Sequence, residues 1–284
     1  MAIFSNQATL TYNGSSTNSN IAYGEILDVL SATKTALEDI YTPNDIITYV
    51  VTLRNTGTSA LTGLTVTDDL GGYLLGGVTV YPLTYVAGSA ALFANGVPQP
   101  TPGIASGPPL VFSNVSVPAN GDAVLVYQAQ VNAIANPTVG GSIINTVTVT
   151  GDGLSAPVTA TETVTAEAAP ALAITKSICP AQVVDNDRVT YSFVIANTGN
   201  TPVVATDNAV ITDTFNPILT DLTVTFNGAV WTQGVEYTYD AVTGQFATVA
   251  GNITVPAATY VQDPVSGVYT VTPGIATLVV TGTI

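Results

Sequence analysis

Short segments of alternating apolar and polar residues run the length of this chain and constrain its fold more than any other feature. Segments 46–53 and 189–195 are typical, being rich in Val, Ile, Tyr and Thr, while Gly, Pro, Asn and Asp separate such segments. A period of two gives a strand one core-facing and one wet face, and turn signals spaced roughly 8–12 residues apart are typical of β-sandwiches. Helical spacing is nearly absent. The sequence therefore predicts an all-β chain.

Charge and composition exclude several classes of function. The chain has 284 residues, 46% of them hydrophobic and 8% charged, and carries a net charge of −15. A chain this apolar folds, and its charge repels nucleic acid and anionic membrane surfaces. There is no His, and Cys179 is the only Cys, so His- and Cys-based catalysis, metal sites of these residues and an internal disulfide are excluded. We expect no cofactor, no metal and no turnover enzyme.

The chain contains two copies of one pattern. Segment 44–49 matches 186–191 and segment 55–57 matches 197–199, both at an offset of 142 residues. Further on, 66–70 matches 211–215 and 123–127 matches 276–280, at offsets of 145 and 153. Repeated patterns of this kind indicate homologous structural units. We predict a complete immunoglobulin-like domain 1 over residues 26–167 and an immunoglobulin-like domain 2 over residues 168–284.

The second copy lacks the last strand of the first. It stops at Ile284, the equivalent of Val131, whereas the first copy continues through the strand pattern 144–150. The segment 5–11 reads residue for residue like 144–150, and Asn13-Gly14 is a strong turn signal. We therefore predict that residues 1–25 form a donor strand or hairpin that fits the vacancy in domain 2.

A sandwich that lacks an edge strand exposes unpaired backbone groups and accepts an added strand. The missing strand position of domain 2 can be filled in two ways. The N-terminus can fold back onto its own domain 2, which gives a monomeric surface adhesin or carbohydrate-binding module. Alternatively, the N-terminus of another subunit docks, and head-to-tail contacts that do not close produce a filament. We favour a pilus-like or spore-appendage-like homopolymer, with no nucleic-acid partner and no membrane insertion.

The location of such a fibre follows from its composition. Few charged or oxidisable side chains and dense β-pairing suit a durable extracellular polymer on a cell or spore surface. Residues 1–6 show no basic region followed by an apolar core, and no apolar run approaches about 18 residues. We therefore expect neither a signal peptide nor a membrane span, and the route of export stays open.

Lys34 and Lys176 are the only lysines and occupy equivalent positions in the two copies. The apolar and Thr residues before each suggest a side chain aimed at the core, where an unpaired ammonium must pair, lose its proton or react. Each lysine has a consistent set of polar residues that it could meet in the core. In copy one these residues are Asp68 and Asn145. In copy two they are Asp213 and, on the N-terminal segment, Asn6.

An ordered set of short motifs resembles the "domain of unknown function eleven" repeats of bacterial surface proteins and, more loosely, the isopeptide-bonded immunoglobulin-like domains of Gram-positive pilins and adhesins. The motifs are Ile174-Thr175-Lys176, Val189-Thr190-Tyr191, Asn197-Thr198-Gly199-Asn200, Ile211-Thr212-Asp213-Thr214 and the segment 144–150. The resemblance implies that a buried Lys amine attacks an Asn carboxamide and that a neighbouring protonated carboxyl relays protons. Burial favours a neutral amine and a protonated carboxyl together.

The resemblance assigns a role to each companion residue. Lys34 and Asn145 would form a bond within domain 1, promoted by Asp68, and Lys176 and Asn6 would join two subunits, promoted by Asp213. Domain 1 carries Asp69 beside Asp68, so either carboxyl can be the promoting group. The alternative to a covalent bond is a buried Lys–Asp ion pair with the Asn as a hydrogen-bond partner.

Overall fold

The computed structural model describes residues 2–26 and 28–284, and nearly all of its regular structure is β-strand. A single 3₁₀ turn, Ala205–Asp207, interrupts the strands among these residues. The all-β prediction is confirmed. Apart from the N-terminal residues, the described chain forms two β-sandwiches. Unit 1 comprises Met1–Asn136, Ser142–Thr165 and Pro264–Gly267, and unit 2 comprises Pro137–Gly141, Ala166–Asp263 and Val268–Ile284.

Residues 2–26 form a two-part antiparallel hairpin, called here the N-terminal hairpin. Its strands are β1 (Ala2–Asn6), β2 (Thr9–Tyr12), β3 (Ser15–Asn18) and β4 (Ala22–Ile26). Strand β1 pairs with β4, and β2 pairs with β3. At the tip, Asn13 and Gly14 have φ values of 48° and 82°, the geometry that Asn-Gly provides in a type I′ turn. The turn predicted from Asn13-Gly14 is confirmed.

Besides the N-terminal hairpin, unit 1 consists of two six-stranded sheets and a small β9–β10 hairpin. One sheet has the order β13-β12-β16-β7-β5, with β11 also on β16, and the other has the order β14-β15-β8-β17-β18-β6. The strands are β5 (Leu30–Ala36), β6 (Ile40–Tyr41), β7 (Ile46–Asn55), β8 (Leu61–Asp68), β9 (Tyr73–Leu75), β10 (Val78–Val80), β11 (Leu83–Tyr85), β12 (Ala91–Ala94), β13 (Val97–Gln99), β14 (Gly103–Ala105), β15 (Leu110–Val117), β16 (Asp122–Val131), β17 (Ser142–Thr150) and β18 (Val158–Ala166).

The core of unit 1 follows from the alternation along its strands. On β7, every second side chain from Ile47 to Leu53 is at most 1% exposed, and the intervening residues face outward. Strand β17 behaves in the same way, because Ile143, Val147 and Val149 are buried. The period-two pattern therefore places one face of each sheet against the other.

Unit 2 contains a five-stranded sheet of order β19-β20-β28-β22-β23, a three-stranded sheet of order β21-β25-β24 and a β26–β27 hairpin. Residues from both sheets form one apolar core, among them Phe193, Phe226, Phe246 and Leu278. The strands are β19 (Leu172–Cys179), β20 (Arg188–Asn197), β21 (Thr212–Thr214), β22 (Thr220–Phe226), β23 (Ala229–Trp231), β24 (Tyr237–Tyr239), β25 (Gln245–Thr248), β26 (Thr259–Gln262), β27 (Tyr269–Thr272) and β28 (Gly274–Thr283).

Strand β28 is the equivalent of β16. The backbone N–H of Ile284 donates to the carbonyl of Asp187 at 3.0 Å, just as that of Val131 donates to Asp45 at 2.8 Å. In unit 1, strand β8 lies between β15 and β17, whereas β21 pairs only with β25 among the described strands. The edge of β21 that corresponds to the β17 side of β8 is therefore free in the described part of the chain.

Candidate crosslinking sites

Lys34 and Asp68 form an ion pair inside unit 1. Lys34 lies on β5 and Asp68 is the last residue of β8, and their Nζ and Oδ2 atoms are 2.6 Å apart with both side chains fully buried. The ammonium position lies 4.6 Å from the centre of the Tyr49 ring. Burial lowers the pKa of the Lys34 amine, and the Asp68 charge opposes this shift. The surroundings therefore favour the neutral, nucleophilic amine.

Two donors besides Lys34 hold the Asp68 carboxyl. Its Oδ1 accepts the backbone N–H of Leu70 at 2.7 Å, and its Oδ2 accepts a hydrogen bond from the Tyr127 hydroxyl. Tyr127 is fully buried, and its ring centre lies 5.2 Å from that of Phe112. Sequence reasoning missed Tyr127. The available signal was a Tyr at an inward position of β16 where the second copy has Val280.

Asp69 does not contact the Lys34 amine. Its Oδ1 accepts the backbone N–H groups of Gly71 and Thr146, both at 2.9 Å. Burial raises the pKa of Asp69, and these backbone donors oppose the rise. Of the two adjacent carboxyls, Asp68 is thus the one that faces the amine.

Asn145 contributes a buried carboxamide to the same core. It lies on β17, two residues before Val147, which is paired with Asp68 across the strands. It is completely buried, and neither Oδ1 nor Nδ2 has a hydrogen-bond partner. Burial raises the pKa of the Tyr49 hydroxyl, and a hydrogen-bond interaction with the Asn145 side chain opposes that rise. The carboxamide therefore lies next to this hydroxyl, although their contact does not have ordinary hydrogen-bond geometry. A buried polar group without a hydrogen bond of good geometry costs about 1–3 kcal/mol.

The second lysine forms the same kind of pair in unit 2. Lys176 on β19 donates to Oδ2 of Asp213 on β21. Its Nζ lies 4.7 Å from the ring centre of Tyr191 and 5.4 Å from those of Phe193 and Phe215. However, the side chain of Lys176 is 41% exposed and that of Asp213 is 17% exposed. The site has its lysine and its carboxyl, but water reaches both.

Water reaches this site because the inward side of β19 is uncovered. Leu172 is 48% exposed, whereas its equivalent in unit 1, Leu30, is 7% exposed. Ile174 and Ile178, on the same side of β19, are 54% and 43% exposed. We call the inward side of β19 together with the free edge of β21 the open face of unit 2. In unit 1, the equivalent of the β21 edge pairs with β17.

Asn6 lies on β1 of the N-terminal hairpin, outside both lysine clusters. Its backbone pairs with Ala22, and its side chain is exposed. It shares one side of the hairpin with Phe4 and Leu10, which are 56% and 62% exposed. In β17 the corresponding side, formed by Ile143, Asn145, Val147 and Val149, is buried. The hairpin thus presents the core-facing pattern of β17 to solvent.

The described residues offer no other obvious chemistry. None of their His, Cys, Asp and Glu residues form a group of three or more that could hold a metal ion. Cys179 is a free, exposed thiol. No helix in the part of the chain that the structure describes has the length and hydropathy needed to cross a bilayer.

Comparisons with known proteins give matches to solved structures alone. No protein-family model matches the chain, and neither does any curated protein. The pilus backbone protein RrgB of Streptococcus pneumoniae is 12% identical, with a TM-score of 0.34, over 86% of this chain and 55% of its own. The major pilin SpaD of Corynebacterium diphtheriae is 11% identical, with a TM-score of 0.36, over 86% of this chain and 59% of its own.

An adhesin domain is also similar. The N-terminal domain of a Streptococcus gordonii adhesin is 16% identical, with a TM-score of 0.34, and the match covers 53% of this chain and 35% of that one. The chain therefore spans between about a third and three fifths of the length of these three structures.

Proposed function

We propose that this chain is a structural subunit of an extracellular filament, in which the N-terminal hairpin of one subunit completes unit 2 of the next. The observation that carries the proposal is the buried Asn145 carboxamide, which makes no hydrogen bond of ordinary geometry and lies next to Tyr49, the ring that also faces the buried Lys34–Asp68 pair. Unit 2 repeats the Lys–Asp pair without its Asn, and Asn6 on the exposed hairpin carries the matching pattern.

The two exposed surfaces are complementary. Aligning Asn6 with Asn145 puts Ala8 at the place of Val147, so Ala8 would pair with Asp213 as Val147 pairs with Asp68. Docking would then bury Phe4 and Leu10 against the open face of unit 2, including Leu172. Burial of each large apolar side chain stabilises by about 1.5–3 kcal/mol. Because the hairpin and the open face are different surfaces, the contact is head-to-tail and extends into a filament.

The covalent step needs only groups of the chain. The carboxylate takes a proton from the lysine ammonium, and the free amine attacks Cγ of the Asn. The carboxyl returns the proton to Nδ2, which leaves as ammonia when the C–N bond breaks, and the second amine proton passes to the solvent through the carboxylate. Each site therefore gains one amide bond and releases one ammonium ion. Holding the amine and the amide in contact would make this reaction fast relative to the same reaction in solution.

The two sites use this chemistry for different bonds, one within a subunit and one between two subunits. Lys34, Asn145 and Asp68 lock unit 1 internally, and Lys176 and Asp213 join Asn6 of the docked hairpin. The chain acts once on itself and turns over no substrate. Covalent closure of a low-charge β-rich polymer suits a surface outside the cell, and the motif resemblance to the "domain of unknown function eleven" repeats is consistent with that place.

Intact mass spectrometry tests this function. Purified protein is boiled in denaturant with reductant, alongside the variants Asn6→Ala, Lys176→Ala and a matched control, Asn20→Ala, which removes another exposed Asn of the same hairpin. We expect a ladder of multimers for the unmodified chain and the control. Each should be lighter by one ammonia per crosslink, and both other variants should give monomers that lack one ammonia.

The opposite results are equally clear. A single monomer mass without any ammonia deficit contradicts covalent bonding at both sites. A monomer that lacks two ammonia molecules indicates that Asn6 has closed on unit 2 of its own chain, which supports the surface-module alternative. Filaments seen without denaturant that persist after deletion of residues 1–14 contradict donor-strand assembly.

A further inference from the structure

Tyr127 has a buried hydroxyl group that takes no part in the crosslinking steps above. It lies on β16, and its hydroxyl donates to Oδ2 of Asp68, the oxygen that also accepts from Lys34. Its ring stacks against Tyr49 at a centre distance of 5.7 Å. Burial raises the pKa of Tyr127, so the hydroxyl keeps its proton and remains a donor.

The second site lacks this hydroxyl. Tyr127 pairs with Tyr49 across β16 and β7, and the equivalent pair in unit 2 is Val280 with Tyr191. Val280 is fully buried and has no polar side-chain atom. Besides Lys176, the Asp213 side chain accepts one backbone N–H, from Thr214 at 2.8 Å on Oδ1.

We propose that Tyr127 is a positioning residue for the internal crosslink and that its hydrogen bond fixes the Asp68 carboxyl in the orientation that proton transfer requires. This rests on the proposed function. The Leu70 N–H holds one carboxyl oxygen and Tyr127 holds the other, so the group cannot rotate about its Cβ–Cγ bond without losing a charge-assisted bond. Folding of unit 1 alone therefore assembles a reactive site.

The presence of Tyr127 in unit 1 and of Val280 in unit 2 gives the internal bond and the intersubunit bond different requirements. The internal site needs no element from another subunit, because partners hold both Asp68 oxygens and Asn145 lies on β17 of the same unit. The Asp213 carboxyl keeps one oxygen bonded only to the exposed Lys176, so its orientation depends on the docking strand. Tyr127 thus distinguishes a bond that forms on folding from one that forms on assembly.

A time course of bond formation tests the role of Tyr127. The full chain is made by cell-free synthesis, quenched at intervals and digested with trypsin. The chain has four sites of cleavage, at its two Lys and two Arg residues, and an amide-bonded Lys34 no longer permits cleavage. We expect Tyr127→Phe to slow the loss of cleavage after Lys34 by about tenfold or more, the factor that corresponds to one hydrogen bond to a charged group. The rate at Lys176 should stay unchanged.

Tyr85→Phe is the matched control. Tyr85 is also buried, its ring lies 6.2 Å from Phe112, and its hydroxyl has no hydrogen-bond partner. Two further chains carry unnatural residues at position 127: 4-aminophenylalanine, which keeps a donor, and 4-methylphenylalanine, which fills the space without one. They test the role even where Tyr127→Phe fails to fold. The donor should restore the rate, and the methyl group should not.

Three results would overturn the positioning role. They are an unchanged rate at Lys34 in a Tyr127→Phe chain that crosslinks, equal slowing by Tyr85→Phe, and equal rates with 4-aminophenylalanine and 4-methylphenylalanine. A natural chain that never loses ammonia at Lys34 contradicts the proposed function itself. That outcome is distinguishable, because the failure then appears before any substitution is made.

Discussion

Lys34 and Lys176 lie at the same register of equivalent strands, yet only one of them is shielded from water. Lys34 pairs with Val51 across β5 and β7, and Lys176 pairs with Phe193 across β19 and β20. The Lys34 side chain is fully buried, whereas that of Lys176 is 41% exposed. Both amines meet an Asp, so the difference in exposure follows from the covering strand, which unit 2 lacks in the described part of the chain. In our proposal, the arrival of that strand starts the reaction in unit 2.

Amine labelling should separate the two lysines. In a chain that lacks residues 1–14 and carries Asn145→Ala, neither amide can form and no donor strand can cover Lys176, so both amines persist. An acetylating reagent should modify Lys176 quickly and leave Lys34 unmodified until unit 1 unfolds, because the reagent cannot reach the buried amine. Peptide masses after brief exposure at neutral pH measure this. Equal labelling of both residues in the folded protein would contradict the difference in burial.

Removal of the paired carboxyl should have very different effects in the two units. In the Asn6→Ala, Asn145→Ala background, Asp68→Ala leaves a buried ammonium unpaired and should lower the free energy of unfolding of unit 1 by about 3–5 kcal/mol. Asp213→Ala removes a partly exposed pair and should cost unit 2 about 1 kcal/mol or less.

The measurement follows both units in one denaturant titration. Trp231 is the only Trp and stacks on Phe226 in unit 2, so its fluorescence reports that unit. Near-ultraviolet circular dichroism, to which aromatic residues of both units contribute, gives the transition of unit 1 once the Trp231 transition has been accounted for. A loss for Asp68→Ala no larger than that for Asp213→Ala would show that burial does not set the strength of the pair.

The stability of unit 1 should rise with pH when Lys34 is not crosslinked. Burial lowers the pKa of Lys34 in the folded protein, so between that value and about 10.4 the unfolded chain binds more protons. The free energy of unfolding of Asn145→Ala should therefore increase through this window, by at most about 1.4 kcal/mol per pH unit. Above about pH 10 the raised pKa values of Tyr49 and Tyr127 act in the opposite direction.

Denaturant titrations between about pH 7 and pH 10 check this slope. Adding Lys34→Met to Asn145→Ala should remove the slope. The natural chain, in which we propose that Lys34 is an amide, should not show the slope either. A flat profile for Asn145→Ala would mean that the Lys34 pKa is not lowered in the fold.

The sequence predicted much of this arrangement because its evidence is local. Alternation identifies strands, and the constant offset places Lys176 opposite Phe193 once Lys34 lies opposite Val51. The pairing of Lys34 with Asp68 followed from their recurrence in both copies. These inferences require only knowledge of which residues face inward, and the two-residue period of a strand provides that knowledge.

Other features depend on packing that no local pattern encodes. Tyr127 is an inward Tyr like any other, and only the geometry between two sheets shows that its hydroxyl reaches Asp68. Asp68 and Asp69 are neighbours in sequence, and the end of β8 at Asp68 decides which one faces the amine. Leu172 has the pattern of a core residue and is exposed solely because no strand covers it in the described chain.

Asn197 should be necessary for the open face of unit 2 to keep its shape. Its side chain is buried, and Oδ1 accepts from the N–H of Ala171 at 3.0 Å and of Gly199 at 2.9 Å, while Nδ2 donates to the carbonyls of Thr201 at 2.8 Å and Pro256 at 3.0 Å. Substitution by Ala leaves four backbone groups without this partner. We expect Asn197→Ala to lower the free energy of unfolding of unit 2 by about 2–4 kcal/mol.

The position of Ala171 adds a consequence for assembly. Ala171 directly precedes β19, so loss of its bond to Asn197 should loosen the strand that carries Lys176. Asn197→Ala should therefore reduce the yield of crosslinked multimers while the ammonia loss at Lys34 persists. The matched substitution Asn55→Ala removes the equivalent buried side chain from unit 1 and should leave the Trp231 transition where it is. Full multimer yield from Asn197→Ala, with an unshifted Trp231 transition, would show that this Asn neither holds β19 nor shapes the open face.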